Sequence, residues 1–338
     1  MPPRSRTDPG HGQGPPLYPG SFFLAFREAA TRLRWQVGGL QGRAVRCTDA
    51  GGSEHVVALE NLYRSARRAP RTDWATLIAE FLDSVSGADL VTPPTDLTAI
   101  VDQLLPRVGP PFPNAPTEAP LWKRPLPGTG LVVNLVVDFP NRMVYVADAL
   151  MAASDLPADH WYERALANLR SRTPASCFQS VHAESGLQAC ATGDAYDSAR
   201  ALILGTLLPP NADGYFVGVP NRDSLLVLPV SAPALAYLHL LKLLVEKNYR
   251  TAPYPLTDEV YWVRDGTWGP FPMHVRGERV LIQPPDEFNE TLKRLLPSGE
   301  LVEEGEPTER LPDEGKPGPS SEDTGERASD GPSDTPSS

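Results

Sequence analysis

Apolar residues recur along this chain in two rhythms, one of period near 3.6 and one of period 2. The helical rhythm is clearest in six places. Phe22, Phe23, Phe26, Ala30 and Leu33 follow Ser21, and Trp74, Leu77, Ile78, Phe81, Leu82 and Val85 follow Thr72. Trp161, Ala165, Leu166 and Leu169 share one face of a helix predicted over 157–170. Tyr196, Ala199, Leu202, Ile203 and Leu207 follow Asp194, and Leu235, Leu238, Leu241, Leu244 and Val245 follow Ser231. The last helix follows Asp286, with Phe288, Leu292, Leu295 and Leu296. Each stripe predicts an amphipathic helix, and in all but the one over 157–170 Ser, Thr or Asp at its start supplies an acceptor for the free amides of the first turn.

The strand rhythm comes in pairs of short β-branched runs separated by turn residues, which predicts hairpins. The pairs are 44–47 with 55–59, 131–138 with 142–147, 176–182 with 187–191, 215–219 with 224–230, and 260–264 with 279–283. The last pair brackets a Gly- and Pro-rich excursion over 265–277. Two of the turns carry Pro-Asn-Arg, at Pro140–Arg142 and Pro220–Arg222. There Pro presets the backbone of the first central turn position and Asn tolerates the second.

The element order gives an α+β fold. An N-terminal α-β-β-α-α unit over 20–86 is followed by two β-β-α-β-β-α stretches, 131–212 and 213–296, with antiparallel sheets packed by helices. A duplication would explain the echo; a single larger sheet with two unrelated Pro-Asn turns would also give it. Residues 87–130 hold Pro106, Pro110, Pro111, Pro113, Pro116, Pro120, Pro125 and Pro127 and read as a Pro-rich linker, with room for one short helix over 95–105. Proline removes a donor and resists both helix and central strand. Residues 1–19 and 297–338 read as disordered tails.

Charge sharpens this division. The formal net charge is −11, and residues 297–338 hold twelve acidic against three basic side chains, so the remainder is close to neutral. With no basic stripe, nucleic acid is not expected as a partner. No apolar run reaches membrane-spanning length. The three cysteines, Cys47, Cys177 and Cys190, are too few and too scattered for a disulfide framework. A cytoplasmic setting is the expectation.

Several stretches together resemble the YtpQ-like family of uncharacterised bacterial proteins. They are Ala165–Leu169, Asp194–Leu202, Val219–Leu225 and Tyr249–Leu256, and the likeness spans roughly Ser21 to Leu296. The resemblance implies a bacterial, cytosolic protein and supplies no reaction, substrate or catalytic residue.

Candidate chemistry is sparse. No P-loop, zinc-protease helix, nucleophile elbow or Cys-x-x-Cys occurs. Cys177, His182 and Cys190 lack a fourth ligand, and the odd spacing of the first two puts them on opposite strand faces; no metal or other cofactor is expected. Asp138, Arg142, Asn221, Arg222 and Asp223 flank the two turns. If the two stretches pack about a pseudo-twofold axis, these groups converge on a cleft; otherwise they bond the turn backbone and stay solvated. Arg250 and Tyr254, with Pro253 and Pro255 holding an extended strand, are further binding candidates. Trp262, Trp268 and Phe271 either line a groove or cover a sheet edge. The expected role is a non-catalytic protein-interaction or chaperone-like module with a protein partner. The alternative is a small-molecule-binding enzyme, such as a hydrolase, with its cleft between the two stretches.

Overall fold

The computed structural model describes residues 18–41, 43–86, 95–111, 120–139, 142–276 and 279–296. The first module runs α1 (Gly20–Arg32), β1 (Gln36–Gln41), β2 (Ala44–Thr48), β3 (Glu54–Ala58), α2 (Leu59–Ala66) and α3 (Trp74–Ser86). Helix α1 buries Phe22, Phe26, Ala29 and Ala30, and α3 buries Trp74, Ala75, Ile78 and Leu82. These positions repeat every three or four residues, so each helix turns one stripe inward onto Val45, Cys47 and Val57 of the sheet. The expected hairpin is β2–β3, with Ala44 opposite Ala58. Strand β1 is an addition to the expected order. Its Gly38-Gly39 pair breaks the alternation, and the register slips between Val37 and Leu40. Gly38 is there because a Cβ would lie 2.9 Å from the Arg46 carbonyl oxygen.

Much of the expected linker is sheet. A 3-10 helix over Thr98–Gln103 leads into β4 (Leu104–Gly109), and β5 (Lys123–Leu126) follows. Both pair with β6 (Leu131–Phe139), whose other partner is β7 (Arg142–Tyr145). Strand β6 is the centre of this sheet: β4 lies along one edge, and β5 and β7 lie end to end along the other. Pro106 and Pro125 are tolerated because β4 and β5 are edge strands, where a missing N–H can face away from the ladder. The Pro140-Asn141 pair and residues 1–17 and 297–338 of the expected tails lie outside the described residues. The expected N-terminal tail is corrected at its end, where Tyr18 is buried against Phe22 and Tyr63 in the core of the first module.

Next come α4 (Asp148–Ala152), α5 (Ala158–Arg172), β8 (Phe178–His182) and β9 (Leu187–Cys190). A 3-10 helix over Ser198–Ile203 runs into α6 (Leu204–Leu207). Asp194 does not cap that helix; its carboxylate accepts from the Tyr196 amide at 3.0 Å in an Asx turn. Strands β10 (Tyr215–Asn221) and β11 (Ser224–Pro229) precede α7 (Ala232–Leu235) and α8 (Leu238–Thr251). Ser231 does cap, accepting from the Ala234 amide, but the helix breaks before Leu238. The chain ends with β12 (Val260–Arg264), β13 (Thr267–Pro270), β14 (Met273–Arg276), β15 (Arg279–Ile282), a 3-10 turn at Asp286–Phe288 and α9 (Asn289–Leu295).

The expected pairing of β12 with β15 is corrected. Strand β12 turns back on β13 through Asp265-Gly266, with Arg264 opposite Thr267. Both turn residues have positive φ, 50° and 75°, as a two-residue hairpin matched to strand twist requires. Strands β14 and β15 form a separate hairpin.

The β-β-α-β-β-α order of both stretches is present, with one extra hairpin in the second. Each stretch pairs its own hairpins, but one ladder crosses from the first stretch to the second. A six-stranded antiparallel sheet runs β13-β12-β10-β11-β9-β8, so the β8–β9 hairpin of the first stretch joins β11 of the second. The alternation along β10 and β11 explains why: both faces are apolar. Val217, Val219, Leu225 and Val227 share a core with Leu105, Val133 and Val136 of the other sheet. Phe216, Leu226 and Leu228 share another with Leu238, Leu241 and Val245 of α8. Burying each such side chain stabilises by about 1.5–3 kcal/mol, so leaving β11 without a neighbour on either face would be costly. Gly218 lets α8 approach, since a Cβ there would lie 2.2 Å from a Val245 methyl.

Candidate functional site

Two arginine-centred constellations lie where the modules meet, and they are built differently. The first occupies Thr192–Arg200. Arg200 and Asp197 are fully buried and bond at 2.8 Å. Asp197 also accepts from the Thr192 amide and hydroxyl, the Gly193 amide and the Cys190 thiol. Arg200 reaches Asp194 at 2.5 Å, and its Nε donates to the Thr173 hydroxyl at the end of α5. A buried ion pair is tolerable only when its remaining hydrogen-bond capacity is met, and here it is met. Burial pushes the Asp194 carboxyl up, but the Arg200 hydrogen bond and charge outweigh it, and the net shift is downward. Ala195, between the two aspartates, is held at φ 71°. The Ser198 amide donates to the Arg222 carbonyl, tying this knot to the β10–β11 turn.

The second constellation is a cleft of about 230 Å³. Arg107 on β4, Asn134 on β6 and Tyr145 on β7 share one sheet face. Arg107 pairs with Asn134 in register, and Tyr145 pairs with Val136, two residues on. Tyr254, Pro255 and Leu256 form the facing wall, and Asn61 of α2 closes one end. The wall is held by backbone bonds: the Arg222 amide to the Tyr254 carbonyl at 3.0 Å and the Leu256 amide to the Pro220 carbonyl at 2.9 Å. The Asn61 carboxamide oxygen accepts from the Tyr254 amide at 2.9 Å. Next to it on α2, Arg64 donates to the carbonyls of Tyr249 and Ala252 at the C-terminal end of α8. The first module is thereby fastened to the last turn of α8, where the helix dipole favours a cation.

Tyr254 sits at φ 52°, a left-handed conformation that costs a β-carbon residue of order 1–3 kcal/mol. The extended run expected between Pro253 and Pro255 is therefore broken at Tyr254. What holds it is the Asn61 and Arg222 bonds, and the ring lies under the Arg222 guanidinium, 3.7 Å from its centroid.

Most of the candidates at the second turn cluster here. Arg222 makes a bidentate pair with Asp223 at 2.8 and 3.1 Å. Burial disfavours the Arg222 cation, but the Asp223 bond and charge more than offset this, and its pKa is raised. Asn221 is buried; its amide nitrogen donates to the Ser224 hydroxyl and its oxygen accepts from the Asp223 amide. This Asx bond moves the turn along by two residues. Its central residues are Arg222 and Asp223, and Pro220 and Asn221 end β10 instead of forming the bend.

Asp138 stands to the side and pairs with Arg172 at 2.7 Å. The pKa of the buried Tyr196 hydroxyl is raised by burial and by the Asp138 carboxylate, with Arg107 and Arg172 opposing. Burial also raises Tyr145, with Arg107 and Arg222 opposing it. Arg142 opposes Phe139 in the β6–β7 ladder. Arg250 is remote in role: it is exposed on α8 and pairs with Glu246 one turn back. Arg107, Asn61 and Tyr145 were not among the expected residues. The one local signal for Arg107 is a lone cation inside the apolar run Leu104–Val108.

The other candidates are structural. Cys177 and Cys190 are buried, and burial with the Asp197 bond pushes the Cys190 thiol up, away from reactivity. His182 bonds Ser185 in the β8–β9 turn. Among the described residues, no three His, Cys, Asp or Glu side chains cluster as a metal site. Trp262 and Phe271 are buried in the core under α8, and Trp268 is buried in the core between the sheets. Among the described residues, no helix is long and apolar enough to cross a membrane. No protein-family model matches the chain, and no curated protein or solved structure matches it either.

Proposed function

We propose that this protein is a non-catalytic interaction module, chaperone-like in holding a protein partner, with the Arg107–Tyr145–Tyr254 cleft as its recognition point. One observation carries the reading. The carboxylates nearest the cleft are already committed, Asp223 to Arg222 and Asp138 to Arg172. What faces the cleft is a guanidinium, two phenols and two carboxamides, groups suited to orienting a bound chain. Acid–base catalysis needs a group poised to exchange a proton near neutral pH. The Tyr145 phenol is pushed the wrong way for that role. A cytoplasmic, bacterial setting and kinship with the YtpQ-like family belong to the same proposal.

The test is a photoreactive residue in place of Tyr254, compared with one in place of exposed Leu24 on α1. The expected result is a discrete protein adduct from the cleft position alone. Equal labelling from both positions would contradict the reading. So would a turnover that Asp223→Ala abolishes while the fold survives, which is the outcome the hydrolase alternative requires.

A further inference from the structure

The charge inventory of the cleft is unbalanced. The charged groups that bear on the half-buried Tyr145 phenol of the cleft and the buried Tyr196 phenol nearby are Arg107, Arg222, Arg172 and Asp138. Asp223 neutralises Arg222 and Asp138 neutralises Arg172. Three guanidiniums therefore face two carboxylates. Among the described residues no carboxylate pairs with Arg107. Its contacts are the Tyr145 ring, 5.6 Å from its centroid, and the Met143 sulfur, 2.8 Å from Nη1. Arg107 is half-buried and lines the cavity, so its charge is aimed into a partly desolvated space.

We infer that Arg107 is the anchor for a carboxylate presented by a protein partner, the side chain of an Asp or Glu in an extended segment. This rests on reading the cleft as a recognition site. Guanidinium binds carboxylate through a planar two-bond fork, and water exclusion strengthens such charge-assisted bonds. The neighbouring surfaces suit the stem of an acidic side chain: Pro110, Pro255 and Leu256 are apolar, and the Tyr145 and Tyr254 rings flank it. The volume of about 230 Å³ is below the ~300 Å³ lower range of drug-sized sites and fits one side chain better than a cofactor. Arg222 does not compete, because Asp223 occupies both arms of its fork.

The experiment uses the full chain labelled with 15N-arginine and follows the Arg107 Nε–Hε resonance at constant ionic strength. The probes are N-acetyl-glutamate amide, N-acetyl-glutamine amide, acetate and inorganic phosphate. The glutamate probe should shift the resonance saturably, and the glutamine probe should need at least ten-fold higher concentration for the same shift. Read on the Tyr145 ring resonances, Arg107→Gln should weaken the glutamate probe ten-fold or more, with Arg107→Lys intermediate and both variants as heat-stable as the wild type. Equal response to the glutamate and glutamine probes, or unchanged binding in Arg107→Gln, would overturn the inference. Phosphate binding more tightly than the glutamate probe would overturn the carboxylate class, and acetate binding more tightly would overturn the peptide source. If these probes fail while the Tyr254 position still yields its discrete adduct, the carboxylate anchor is wrong and the interaction module stands. If both fail, both readings fall.

Discussion

Arg200 and Arg107 are the same residue type in two opposite environments. Arg200 has no exposed surface and meets two aspartates and two threonine hydroxyls. Arg107 is half-buried and meets an aromatic ring, a thioether and a cavity. The first arrangement satisfies every requirement of a buried charge from within the chain, so it fixes the path from β9 through the 3-10 helix and has nothing left to offer a ligand. The second leaves a cation whose best partner is not among the described residues. Saturation marks the groups that build the fold, and an unfilled fork beside an open space marks the group that can recognise something else.

The comparison can be broken at several points. Arg200→Met should cost the most, about 3–5 kcal/mol in a urea melt, because it strands Asp197 as an unpaired buried charge. A loss under about 1 kcal/mol would remove the knot from the account. Gly218→Ala should cost about 1–3 kcal/mol by driving a Cβ into Val245, and adding Val245→Ala should recover most of it. Arg64→Ala should cost about 1–2 kcal/mol through the two carbonyl bonds at the end of α8. It should also loosen the Asn61 wall, seen as faster hydrogen exchange at the Tyr254 amide. Asp194 gives a pH test. Its folded pKa lies below the ordinary 3.8, so the stability it contributes is present above that value and is lost as pH falls through the folded one. Unfolding free energy should therefore drop with acid in this window, and the drop should be shallower in Asp194→Asn; an identical slope would show that Arg200 does not hold that carboxylate. The smallest effect is expected at the cleft, where Asp223→Ala removes one partly exposed pair and should cost no more than about 1 kcal/mol.

The helices were legible where a single apolar stripe faces inward, as in α1, α3 and α5. The hairpins with conventional turns, β2–β3 and β10–β11, were legible as well. Three things were hidden for physical reasons. Strands β4 and β5 carry Pro106 and Pro125, and only their edge position makes that harmless, which local sequence does not reveal. The β12–β13 hairpin was masked by the Gly- and Pro-rich composition around it, although Asp265-Gly266 is a recognised turn pair. The joining of β9 to β11 pairs strands from the two different stretches, a tertiary fact that local sequence does not carry. The site divides in the same way. Asn221, Arg222, Asp223 and Tyr254 stood out because polar residues and prolines interrupt apolar runs. Arg107 and Asn61 did not, because each reaches the cleft through contacts between elements far apart in the chain.

The most direct measurement sets Arg107→Gln beside Arg200→Gln in parallel urea melts of the full chain. Arg107→Gln should lie within about 1 kcal/mol of the wild type, the worth of one cation–π contact that is not fully desolvated. Arg200→Gln should lose about 3 kcal/mol or more. Equal losses would contradict the account, because Arg107 would then be a second structural charge and the cleft would have no group held in reserve for a partner.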